Sequence, residues 1–143
     1  MKIVLILALL LMPIVSAVTD TTPPTIVSFD FEPKVVDVSQ SDQNITFTVQ
    51  LADDLGGICP GQQARFFSPS ERQHGDIAFY GPSVSGDMLN GTYVSNMTLP
   101  MHSESGEWHL AYFLLQDNSG NYVNLNEAEM ENLGFPTVIE VKA

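Results

Sequence analysis

NITFTVQLA, residues 44–52, decides the fold class. Ile45, Phe47, Val49 and Leu51 occupy alternate positions, with Thr46, Thr48 and Gln50 between them. An extended backbone turns successive side chains to opposite faces, so the pattern describes a strand with one apolar and one polar face. The strand runs into Asp53-Asp54 and Gly56-Gly57, residue types that mark a loop.

The same period recurs on either side. Val27, Phe29 and Phe31 alternate with Ser28 and Asp30 until Pro33 ends the run. Val35–Val38 is a short continuation on another sheet. Thr92–Leu99 places Tyr93, Met97 and Leu99 on one face, and WHLAYFLL (Trp108–Leu115) is apolar on both, as a central strand is. Shorter candidates are Gln63–Ser68, Ile77–Tyr80, Tyr122–Leu125 and Thr137–Lys142, with turns at 69–75, 86–90 and 103–106. One helix is expected. Asn126 can cap it, Glu129 completes a capping box, Glu127, Glu129 and Glu131 suit the positive N-terminal end, and Gly134 stops it. Many short strands and almost no helix predict an all-β chain of two antiparallel sheets, with the helix before the last strand.

The first 17 of the 143 residues read as a leader. Lys2 precedes the apolar run Ile3–Met12, and the small residues Val15 and Ala17 suit a secretory cleavage site. We therefore expect a signal peptide at 1–17, a Pro-rich lead-in at 18–25 (TDTTPPT at its end), and one domain at 26–143. The expected location is extracellular, secreted or at the cell surface. All 17 carboxylates follow the leader, against only Lys34, Arg65, Arg72 and Lys142. Such a charge repels nucleic acid and anionic lipid headgroups, so neither nucleic acid nor membrane insertion of the mature chain is expected. Cys59 is the single cysteine, so no disulfide within the chain can brace the fold.

The candidate chemistry is calcium. Ca²⁺ takes six to eight oxygens from carboxylates, amide carbonyls and backbone. Asp53 and Asp54 end one strand, and Asp117, Asn118 and Asn121 lie in the loop of LQDNSGNYV (Leu115–Val123). Two such loops can meet at one end of a sandwich, with Asp20 arriving from the lead-in. The same Asp, Asn and Gly residues also suit a tight hairpin turn, and both readings stand at this point. His74, His102 and His109 show no metal-ligand spacing, and no nucleophile motif is present, so no catalytic residue is assigned. Asn44, Asn90 and Asn96 each begin an Asn-X-Thr acceptor for N-glycosylation.

Three stretches together, DTTPPTIVSF, ITFTVQLADDLGGI and GEWHLAYFLLQDNSGN, resemble the immunoglobulin-like (fibronectin-like) domains of bacterial and archaeal secreted proteins. The resemblance implies a first strand after a Pro-rich linker, a second running into an acidic loop, and a late hairpin. It thus implies an immunoglobulin-like β-sandwich. The expected function is a non-catalytic extracellular binding or structural module of the cell-surface or adhesion type, calcium-stabilised on the first of the two loop readings, with a protein or glycan partner. The alternative is an accessory domain of a secreted hydrolase.

Overall fold

A computed structural model describes residues 18–143; the expected leader at 1–17 lies outside the described residues. Ten strands and one helix follow in order: β1 (Thr25–Glu32), β2 (Val35–Asp37), β3 (Gln43–Ala52), β4 (Gln62–Phe67), β5 (His74–Phe79), β6 (Ser85–Gly86), β7 (Asn90–Leu99), β8 (Gly106–Gln116), β9 (Tyr122–Leu125), α1 (Glu127–Asn132) and β10 (Val138–Lys142). They form two sheets. The first has the order β1-β3-β7-β6; the second runs β2-β10-β8-β4-β5, with β9 also pairing with β8. The chain is all-β and mostly antiparallel, as expected. The departure is β2, which lies parallel to β10. Among the described residues no helix is long and apolar enough to cross a membrane.

The alternation in β3 is complete: Ile45, Phe47, Val49 and Leu51 are all fully buried. They face a cluster of phenylalanines drawn from both sheets. Phe31 and Phe47 of the first sheet lie 5.7 and 5.8 Å from Phe66 of the second, and Phe29 meets Phe113 edge-on at 5.3 Å. Such pairs add about 0.5–1.5 kcal/mol beyond the area they bury. Trp108 is buried in the same hydrophobic core, and its indole N–H donates to the Glu104 carbonyl at 2.8 Å.

Two irregularities break the period. Val27, expected in the core, is 50% exposed. The pairing of β1 with β3 shifts between Ile26 and Ser28, so Val27 falls at a bulge, which turns its side chain outward while Ile26 packs against the core. In β8 the buried set changes phase, from Trp108 and Leu110 to Phe113 and Leu115. The β4–β8 pairing skips a residue there, between Leu110 and Tyr112. Strand β5 also begins at His74, inside the stretch expected to be a turn.

The helix has the expected ends. Asn126 Oδ1 accepts from the Glu129 N–H, Glu129 Oε2 accepts from the Asn126 N–H, and Gly134 follows with φ +84°. Met130 is its buried anchor, and Glu127 reaches back to His109 on β8, Nδ1 to Oε1 2.7 Å. The carboxylate of Glu127 raises the His109 pKa above its ordinary value against the opposing effect of burial.

Phe47 touches phenylalanines of both sheets. Phe47→Ala is expected to lower the unfolding free energy by about 3–5 kcal/mol in urea denaturation, because the neighbouring rings cannot close the cavity.

Candidate functional site

Strand direction gathers four segments at one end of the molecule. Ala52 pairs with both Thr25 and Asn90, Gln62 with Phe79, and Gln116 with Tyr122. The lead-in and the β3–β4, β5–β6–β7 and β8–β9 connections therefore share a pole. Asp20, Asp53, Asp54, Asp87 and Asp117 all lie in these segments. None of the described basic side chains does. Lys34, Arg72 and Lys142 belong to the opposite end, and Arg65 is midway along β4.

The quoted LQDNSGNYV stretch is a closed hairpin turn. Asp117 is 1% exposed. Its Oδ1 accepts from the Ser119 and Asn121 N–H groups, each at 2.8 Å, and its Oδ2 from Asn121 Nδ2 at 2.6 Å. Gly120 takes φ +93°, which favours glycine. Burial pushes the Asp117 carboxyl up, but the bonds from Asn121, Ser119 and Gly120 outweigh it and hold the pKa below the ordinary carboxylate value. Asn118 ties this turn to the β3–β4 loop. Its backbone N–H donates to the Gly57 carbonyl at 2.9 Å, and its Nδ2 to the Gly56 and Gly57 carbonyls at 3.1 and 3.0 Å.

The β3–β4 loop is held from within as well. Asp53 Oδ2 accepts from the Gly57 N–H at 2.6 Å and the Leu55 N–H at 3.2 Å. Asp20 Oδ2 accepts from the Gly56 N–H at 2.6 Å, which fastens the lead-in to the loop. Thr22 Oγ1 donates to Asp54 Oδ1 at 2.6 Å. A Cβ on Gly56 would lie 2.4 Å from both Asp20 Oδ2 and Ser119 Oγ, so a larger residue there would displace these two side chains. Gln62 completes the frame. Buried at the start of β4, its Nε2 donates to the Cys59 and Gln116 carbonyls and its Oε1 accepts from the Gln116 N–H at 2.7 Å. Cys59 is a free, half-buried thiol in the same loop.

The five residues expected to bind calcium thus divide into two groups. Asp53 and Asp54 join Asp20, with one carboxylate oxygen from each lying within 4.8 Å of the others. Asp117, Asn118 and Asn121 are engaged in the hairpin and its link to the loop. The carboxylate group fits a hard cation in one respect beyond its charge. Asp53 Oδ1 is buried and has no hydrogen-bond partner, a costly state for a carboxylate oxygen. Calcium–oxygen distances of about 2.3–2.6 Å allow oxygens up to about 5 Å apart to share one ion. The remaining ligands would come from backbone carbonyls and water.

Two features of the pole carry no signal in the sequence. Gln62 looks like any polar residue after a glycine, and its buried role depends on Gln116, 54 positions away. The second is apolar exposure. Leu55, Tyr80, Val84, Met88, Leu89 and Tyr122, between 41% and 70% exposed, stand in or beside these connections. Asp87 shapes their setting, accepting from the Leu89 and Asn90 N–H groups at 2.9 Å each. His74 and His102 line one open pocket beside Trp108, and His74 also lies by Phe67 and Asp76, whereas His109 lies by Glu107 and Glu127. Asn44, Asn90 and Asn96 are exposed on β3 and β7.

Asp117 gives a pH test of the turn. Its folded pKa is depressed, so its contribution to stability is complete above the unfolded value, about 3.9, and is lost as pH falls through the lower folded value. Asp117→Ala should weaken the protein at neutral pH and flatten the acid limb of stability against pH below about pH 4. Chemical denaturation across that range reads both effects.

No curated protein matches the chain, and no solved structure does. Residues 19–141 match a family described as a domain of unknown function (DUF7035), and the chain belongs to that family.

Proposed function

We propose that the protein is a non-catalytic extracellular binding module of the cell-surface or adhesion type, with an immunoglobulin-like sandwich as its frame and the acidic pole as its contact surface. Support for the frame comes from strand order. Taking β1, β3, β7 and β6 as A, B, E and D, and β10, β8, β4 and β5 as G, F, C and C′, both sheets follow the immunoglobulin arrangement. Strand β2 takes the place of an A strand that crosses to the second sheet, and β9 with α1 is an insertion between F and G.

The observation that carries the contact surface is the coincidence of exposed apolar side chains with carboxylates at one pole. Exposed Leu, Met and Tyr side chains rimmed by polar groups are what a protein contact buries. Loops on a rigid sandwich are also the usual place for recognition. Calcium on Asp20, Asp53 and Asp54 would neutralise the carboxylates, fasten the lead-in to the β3–β4 loop and satisfy Asp53 Oδ1. The partner class is an extracellular protein or glycan whose surface accepts apolar side chains beside negative charge.

Adhesion of protein-coated beads to the cells that make the protein tests this reading. Beads carrying the wild-type chain should adhere in calcium and detach in chelator. Beads carrying Leu55→Ser with Met88→Ser should fail to adhere while melting at the wild-type temperature, since both side chains are exposed. Equal adhesion by the two proteins, or none by either, contradicts the proposal.

A further inference from the structure

The three Asn-X-Thr sequences converge on one surface. Asn44 lies on β3, and Asn90 and Asn96 on β7, its neighbour in the first sheet. Residues two apart on a strand share a face, so an acceptor Asn that points outward brings its Thr to the same face. Here all three Asn residues are exposed, and the apolar residues after two of them, Ile45 and Met97, are buried. The register sets Asn44 opposite Thr98 and Thr46 opposite Asn96, so each of these acceptors lies against the threonine of the other. Thr98 Oγ1 donates to Asn44 Oδ1 at 3.0 Å, and Thr46 Oγ1 to Asn96 Oδ1 at 2.8 Å. Asn90 Oδ1 accepts from Gln50 Nε2 at 2.9 Å. In all three the amide oxygen is bonded, and among the described residues Nδ2 donates no hydrogen bond to protein.

The paired strands β3 and β7 present an uncharged strip to solvent. The ten outward positions of these paired strands are Asn44, Thr46, Thr48, Gln50 and Ala52 facing Thr98, Asn96, Val94, Thr92 and Asn90. None is charged, in a chain of net charge −12. This uncharged strip, rich in hydroxyls and amides and bordered on β1 by Asp30 and Glu32 beside Thr48 and Thr46, can lie under sugar without stranding a charge of its own.

We propose that the outer face of the first sheet is a glycan-bearing face, with N-linked oligosaccharide on Asn44, Asn90 and Asn96. The donor class is an oligosaccharide on a polyprenyl pyrophosphate. A bond forms between Asn Nδ2 and the anomeric carbon, the bond from that carbon to the pyrophosphate oxygen breaks, and the amide loses one proton. The lipid pyrophosphate departs with the electron pair. The consequence is directional: sugar covers the β3–β7 face and leaves the acidic pole and the second sheet open to a partner, with Asn90 at the rim of that pole. The inference rests on the extracellular reading, because the transfer occurs during translocation.

The test is the full chain, with a C-terminal tag, isolated from the organism that encodes it and split into cell and medium fractions. Intact mass is measured before and after peptide N-glycosidase, for wild type and for Asn44→Gln, Asn90→Gln and Asn96→Gln. The expected result is secreted protein carrying three glycans, with each variant lacking one and each released site converted to Asp. Secreted protein at the unmodified mass overturns the glycan-bearing face and leaves the extracellular reading intact. Unmodified protein retained in the cytosol with its leader overturns both.

Discussion

The fold depends on aromatic packing between two sheets that no disulfide joins. Phe29, Phe31 and Phe47 from one sheet meet Phe66 and Phe113 from the other, with centroids 5.3–5.8 Å apart across the interface. Rings of this size fill the roughly 10 Å between packed sheets. The single cysteine sits in a loop at the pole, between β3 and β4. Burial of apolar area therefore carries the cohesion between the sheets. A sheet pair held this way is rigid in its middle, and its connections at the ends are free to vary.

At the acidic pole that freedom is used for a network of side chains bonding to backbone. Asp53, Asp117, Asn118 and Gln62 each bond two or more backbone groups, and Asp20 fastens the lead-in. Buried loop backbone needs such partners, because a strand ladder is not there to supply them. The carboxylates consequently serve two different ends. Asp117 has both oxygens occupied by its own turn, whereas Asp53 keeps one oxygen buried and unpaired beside two further carboxylates. The first is turn chemistry. The second is the place where the proposed cation would bind.

What the sequence made legible follows from how local each signal is. The β3 alternation, the Asn126–Glu129 capping box and the turn at Gly134 are written within a few residues, and the structure has all of them. Val27 misled because a bulge depends on how β1 meets β3, which no local pattern records. The parallel pairing of β2 is another product of long-range register. LQDNSGNYV stayed ambiguous because a tight turn and a calcium loop ask for the same residues. Only the contacts of Asp117 separate them. Asp20 joins Asp53 and Asp54 across more than thirty positions, and Gln62 works through Gln116, so neither role can be read along the chain. The two interlocked glycosylation sequences are the reverse case, visible as motifs but joined only by register.

The central claim is that the acidic pole is a cation-held surface, and thermal unfolding with calcium against chelator tests it most directly. A ligand that binds only the native state stabilises it by about 2.7 kcal/mol at a hundredfold excess over its dissociation constant. The account predicts a clear rise in Tm for the wild-type protein in millimolar calcium and none for Asp53→Asn with Asp54→Asn. Identical melting of wild type in calcium and chelator would contradict it, leaving the three carboxylates as loop acceptors only.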